Sequence, residues 1–336
     1  MKIKYTSASL ILLTLFFFVS CSVTDTNISL DARYPRWLKD SKVTPAQTSG
    51  ITFLGNTGNA EEYLIADDIG KIHRLFISSD TVFSFRTLEF LPAADSFLAG
   101  FPKKDFEEIF YDKYAGKVFL SIEGNGKNPK EFCGIYEIIF GGNDIHSNQI
   151  AELKPVNIDK SGSIYRFVRQ NIGFEGAAVD EKYFYLGIET ISDELITSVE
   201  TEIYILDKTT SELKKTISTK EYGIRTICGL YITDGRLWGI DRNDRKIFFL
   251  DLGSDLSVKE VKKFNLDNVI PGYNKFKYVA AIESVTINDK NQMFIIDDPW
   301  TENYVPDEKV LESLDAETIN NFRKFVPVIY RYNIKQ

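Results

Sequence analysis

The chain has 336 residues, a formal net charge of −8, and 17 Tyr and 25 Phe against only two Met. That acidity, with no Lys/Arg cluster interleaved with aromatics, excludes a nucleic-acid partner, whose phosphates demand a basic face. The aromatic richness favours strands, and the length allows one large all-β domain with an ample core.

At the N-terminus Lys2 and Lys4 precede the apolar run Leu10-Ile11-Leu12-Leu13-Thr14-Leu15-Phe16-Phe17-Phe18-Val19, then Ser20-Cys21. The run is well short of the ~20 residues that span a bilayer, so residues 1–20 read as a secretory signal peptide. Val19-Ser20-Cys21 resembles a bacterial lipobox, which implies cleavage before Cys21 and lipidation of its thiol. Ser22, by the same resemblance, implies sorting to the outer membrane. Residues 21–46 then form a polar tether from lipid to domain, within which Ile28 to Tyr34 alternates like a strand.

Residues 47–336 hold one hairpin five times over. Ser49–Phe53 pairs with Tyr63–Asp67, Glu107–Asp112 with Val118–Glu123, and Gly173–Asp180 with Phe184–Glu189; Cys228–Ile232 pairs with Leu237–Asp241, and Glu283–Ile287 with Met293–Asp297. Every second strand ends in an acid: Asp67, Glu123, Glu189, Asp241 and Asp297. Three first strands open on one: Glu107, Glu175 and Glu283. Each repeat continues with two further strands, except the last, which has only Pro327 to Ile334 left. The expected fold is therefore a five-bladed β-propeller, closed by a strand from Ile28–Tyr34 beside Pro327–Ile334, with a sixth blade as the alternative.

In a propeller the start of strand one and the end of strand two lie on the same face, so all eight acids are expected around one channel mouth. Clustered carboxylates raise one another's pKa unless a cation or a base compensates. Glu107, Glu175 and Glu283, facing the axis, are the expected metal ligands. The oxygen-rich set, with His73 and His146 elsewhere, points to a hard cation such as Ca²⁺. Asp67, Glu123, Glu189, Asp241, Asp297 and the base Arg242 are candidate ligand-binding residues; the bland alternative for these acids is backbone capping or pairing with a neighbour such as Arg242 or Arg245. Cys133 and Cys228 come from different repeats and are expected as buried thiols rather than a disulfide.

Phe174-Glu175-Gly176-Ala177-Ala178-Val179-Asp180 with Glu189, and Ile282-Glu283-Ser284-Val285-Thr286-Ile287-Asn288 with Asp297, resemble the repeats of the SdiA-regulated and esterase-like phytase propeller families. The resemblance covers roughly residues 45 to 335, and the gluconolactonase and regucalcin propellers are a more distant likeness. It implies an extracytoplasmic propeller with calcium at the mouth, and in the phytase-like branch phosphoester hydrolysis.

Long connections at Pro92–Asp105, Asp159–Gly173, Asp267–Ala281 and Pro299–Phe325 fall on the acidic face, the last with two short helices N-capped by Asp307 and Asp315. They read either as a lid or partner surface, with Trp300, Tyr304 and Phe322 as aromatic contacts, or as blade cover. No nucleophile elbow, phosphate loop or His-Glu-x-x-His motif occurs. The sequence reading is an envelope-anchored binding or scaffold module taking a small anionic ligand or an envelope protein. A metal-dependent esterase or phosphoesterase is the alternative.

Overall fold

The computed structural model describes residues 26–192, 197–266, 269–277, 281–299 and 304–335. The signal peptide and Cys21 lie outside the described residues, as does Trp300. Among the described residues no helix is long and apolar enough to cross a membrane.

Five antiparallel sheets carry the chain, and the sequence repeats map onto them in order. Blade 1 is Thr48–Thr57, Ala60–Asp67, Lys71–Ser78 and Val82–Thr87. Blade 2 is Phe106–Asp112, Lys117–Ile122, Gly134–Phe140 and Gln149–Pro155; blade 3 is Phe174–Val179, Tyr183–Ile188, Glu202–Asp207 and Leu213–Ser218. Blade 4 is Gly229–Thr233, Arg236–Asp241, Lys246–Leu252 and Val258–Asn265, and blade 5 begins Ala281–Ile287, Gln292–Asp298, Val328–Lys335. Each inner strand packs against the inner strands of the blades on either side, and the fifth returns to the first, which closes a ring of five. The sixth-blade alternative is thereby removed.

The closing strand is Asn27–Leu30, antiparallel to the C-terminal strand in the register Ile28 to Ile334 and Leu30 to Tyr332. Arg36–Trp37 pairs further along the same strand, with Ile329 and Val328. Between them Asp31 accepts two hydrogen bonds from the fully buried Arg331 guanidinium, at 2.8 Å from Nη2 and 3.2 Å from Nε. The Tyr34 ring lies 4.4 Å beneath the same group. First and last segments are therefore latched by charge as well as by backbone pairing.

The inner strands sit close together because small residues recur just after the mouth positions. A Cβ at Gly50 would come 2.6 Å from the Ile109 nitrogen, and one at Gly229 would come 2.7 Å from the Glu283 carbonyl oxygen. The expected caps are present: Asp307 accepts from the Val310 N–H and Asp315 from the Thr318 N–H at the starts of helices Glu308–Leu311 and Ala316–Arg323. Tyr304 and Phe322, read either as surface contacts or as blade cover, are buried. Phe322 packs edge-on to Trp37 at 5.0 Å and to Tyr304 at 5.5 Å, so this connection is the cover of blade 5. Cys133 and Cys228 are free and buried.

Candidate functional site

What turns the acids toward the axis is a register shift in the inner hairpin. In blades 1, 2, 3 and 5 the pairing skips Ser49, Glu107 with Glu108, Glu175 and Glu283. A β-bulge leaves its extra residue out of the ladder and re-aims the side chain, and here the bulged residue of three blades is a glutamate.

Ser49, Glu107, Glu175 and Glu283 line a cavity of about 310 Å³ at one channel mouth, together with Glu123, Glu189 and Arg242. Of the eight acids expected there, five are brought together: Glu107, Glu123, Glu175, Glu189 and Glu283. Asp67, Asp241 and Asp297 do not line it. The Asp67 carboxylate accepts from the Ala46 N–H and lies 3.0 Å from His73 Nε2, which explains that histidine's place. Asp241 accepts from the N–H of Arg225 and of Asp244 and from the Thr226 hydroxyl, and Asp297 from the Val328 N–H. The capping alternative describes these three, and the pairing alternative describes Glu189, which accepts from Arg242. In their blades the next residue reaches the mouth instead: Asp68, Arg242 and Asp298. The shorter aspartate side chain is spent on local backbone, whereas glutamate at the same place extends to the cavity.

Three groups of potential ligand atoms lie within 4.8 Å of one another: Asp105, Glu107 and Glu123; Glu123, Glu175 and Glu189; Glu175, Cys228 and Glu283. Arg242 donates to Glu283 in blade 5 and to Glu189 in blade 3, and stands 3.9 Å from Glu175 Oε2. Glu175 Oε2 and Glu123 Oε1 are buried without a hydrogen-bond partner.

Burial, and then the neighbouring carboxylates, push Glu107 and Glu123 well above the usual carboxylate range. Glu175 is raised in the same way, with Arg242 opposing the shift, and Glu283 is pushed up to about 7 by burial against the same guanidinium. Asp68 likewise reaches about 7 through burial. A site of this composition can hold protons or a metal ion, because Lys103 and Arg242 on its wall are too few to neutralise its acids.

One layer below the mouth the inner strands carry Gly50, Glu108, Gly176, Gly229 and Ser284. Glu108 fills the axial space that the small residues leave. Its Oε1 accepts from the Ser284 hydroxyl at 2.7 Å and from the Ile109 N–H at 3.1 Å, and Oε2 has no partner. Burial pushes it well above the usual carboxylate range. A second cavity of about 320 Å³ opens beyond this layer on the opposite face, between the hairpin turns of blades 2, 3 and 4.

Sequence reasoning missed Asp68, Asp105, Asp298 and Glu108. The signal for Glu108 was available: glycine or serine fills that place in the other four repeats, so a glutamate there has room to turn inward.

No family model matches the sequence. No curated protein matches it either. Among solved structures the chain is similar to the PQQ-bound aldose sugar dehydrogenase of Streptomyces coelicolor, at 10% identity over 93% of this chain and 99% of that one, TM-score 0.49. It is similar to glutaminyl cyclase of Myxococcus xanthus at 9% identity, over 92% and 96% of the two chains, TM-score 0.49. The WD40 β-propeller domain of Doa1 aligns at 9% identity over 90% and 97%, TM-score 0.40. The blade count and its closure rest on the strand pairings themselves, and no activity is carried over from these proteins.

Proposed function

We propose that this protein is a cation-dependent binding module, held at the outer membrane by lipid on Cys21, whose channel mouth takes Ca²⁺ and presents it to a small anionic ligand or an envelope protein. The observation that carries the reading is the pair of buried, unpartnered carboxylate oxygens, Glu123 Oε1 and Glu175 Oε2, in a wall that also holds Glu107, Glu189 and Glu283. Buried polar atoms are almost always satisfied, and an oxygen-only set of this density suits calcium. The first-strand ring Glu107, Glu175 and Glu283 supplies the negative field, and Glu107, unlike the other two, is not in contact with the Arg242 guanidinium.

Binding is favoured over covalent hydrolysis because the mouth's hydroxyl and thiol are both unsuited to attack. Ser49 donates to the Phe106 carbonyl, and burial raises the Cys228 thiol far from the thiolate form. The phosphoesterase alternative would use a metal-polarised phosphoryl oxygen and water.

Millimolar Ca²⁺ should raise the melting temperature, by the equivalent of ~2.7 kcal/mol at a hundredfold excess over Kd. Glu107→Gln should remove most of that shift. An unchanged melting temperature in the parent would refute the reading, and calcium-dependent release of nitrophenol from its phosphate ester would turn it toward hydrolysis. Membrane retention and processing of Cys21→Ala test the anchor, which fails if both stay normal.

A further inference from the structure

The mouth is electrically lopsided. Arg242 serves Glu189 and Glu283 and approaches Glu175, while Asp105, Glu107 and Glu123 lie on the side its guanidinium does not contact. Glu123 is only 4% exposed, and its unpartnered Oε1 belongs to the cavity wall. Asp105 is fixed from behind: its Oδ2 accepts from Asn125 Nδ2 at 2.5 Å, and Asn125 is held in turn by Gln170 at 2.7 Å. That leaves Asp105 Oδ1 on the cavity side, where the cation beside it is Lys103. The Lys103 ammonium contacts Asp105 Oδ1 and lies 3.8 Å from Asp68 Oδ2, on a side chain that is 48% exposed.

The two bases differ in what they are able to do. Arg242 is a planar fork locked between carboxylates of two other blades. Lys103 is a hydrated point charge on a flexible stem, its side chain half exposed at the rim while its partner Asp105 is buried.

We propose that the divalent cation seats on Asp105, Glu107 and Glu123, and that Lys103 is a displaceable internal counter-ion whose ammonium swings to solvent as the ion enters. This rests on the cation-binding reading and narrows it to one side of the mouth. The lysine holds the empty site together and competes with calcium, so it sets the affinity.

The test is calorimetric titration of the full chain with Ca²⁺ alone. Lys103→Gln removes the competitor and is expected to tighten binding several-fold, whereas Glu123→Gln should weaken it at least tenfold. If Lys103→Gln leaves the affinity unchanged or weakens it, the proposal is overturned. If the parent binds calcium but only Glu283→Gln abolishes binding, the seat lies on the Arg242 side; this inference then fails and the cation-binding reading stands. No binding by the parent overturns both. Should Glu123→Gln not fold, the rim variant Lys103→Gln decides by itself, since its side chain is half exposed.

Discussion

Glu108 accepts a 2.7 Å hydrogen bond from Ser284, two residues from the same layer of blades 2 and 5 that meet across the propeller axis. Ser284 in turn accepts from the Ile51 N–H at 3.0 Å, so a single carboxyl ties the inner strands of three blades. Its folded pKa is raised, and the ordinary value is 4.5. The stability it contributes is therefore fully present below about pH 4.5 and is lost as pH rises toward the folded value. Glu108→Gln is neutral at every pH and keeps the acceptor. It should melt near the parent at pH 5 and progressively above it toward pH 9. Glu108→Ala, which empties the axis, should cost about 2–4 kcal/mol at any pH. Parallel pH profiles for parent and Glu108→Gln would show that the carboxyl does not titrate with folding.

The latch at the ring closure gives a second expectation. Burial disfavours the Asp31 charge, but hydrogen bonds from Arg33 and Arg331 outweigh it and hold the carboxyl well below the usual range. Removing one partner of a buried pair strands the other, at a cost of ~3–5 kcal/mol. Asp31→Ala should lose about that much in urea melts at pH 7. The difference from the parent should shrink as pH falls, because a depressed pKa gives stability that acid removes. Deletion of residues 27–30 should be at least as harmful, since it also exposes the C-terminal edge strand. A variant that melts like the parent would reduce this segment to a linker.

Much of the architecture was legible in sequence because it is set by local pattern. Alternating hairpins ending in an acid gave five blades, and a repeat one strand short pointed to Ile28–Tyr34 as its completion. Asp307 and Asp315 announced their helices through capping chemistry. The site was legible only in outline, because its geometry depends on devices that periodicity does not carry. The bulges at Glu107, Glu175 and Glu283 are defined by pairing with a second strand. Whether a strand-end acid reaches the mouth depends on side-chain length: Glu123 and Glu189 arrive, while Asp67, Asp241 and Asp297 are captured by backbone N–H groups. Asp105 comes from a connection, and whether Tyr304 and Phe322 face a partner or cover blade 5 depends on long-range packing that periodicity does not carry.

Cation binding should be coupled to protons. With Glu283 and Asp68 near 7 and Glu107, Glu123 and Glu175 raised, the empty mouth carries protons that Ca²⁺ must displace. Affinity should rise between pH 6 and pH 8. Calorimetry in buffers of different ionisation enthalpy should give a positive proton release at pH 6.5 that diminishes by pH 8.5. Binding that is indifferent to both pH and buffer would mean that the ion uses other groups.

Arg242 supplies the last test, because it is at once a structural tie and a rival for the cation. Its guanidinium joins blade 4 to Glu283 of blade 5 and Glu189 of blade 3, all three side chains largely buried. Arg242→Gln leaves those carboxylates without a counter-charge, and at 4–6 Å with an effective dielectric near 20 each like-charged pair costs ~3–4 kcal/mol if both are ionised. Protonation relieves part of that, so the metal-free variant should lose about 3–5 kcal/mol at pH 7 and recover some of it at pH 5. Calcium does at neutral pH what protons do in acid. Its stabilising effect should therefore be larger in Arg242→Gln than in the parent, read as the difference between melting temperatures with and without millimolar Ca²⁺. An equal or smaller calcium effect would mean that the ion does not sense the charge Arg242 balances and so sits away from Glu189 and Glu283.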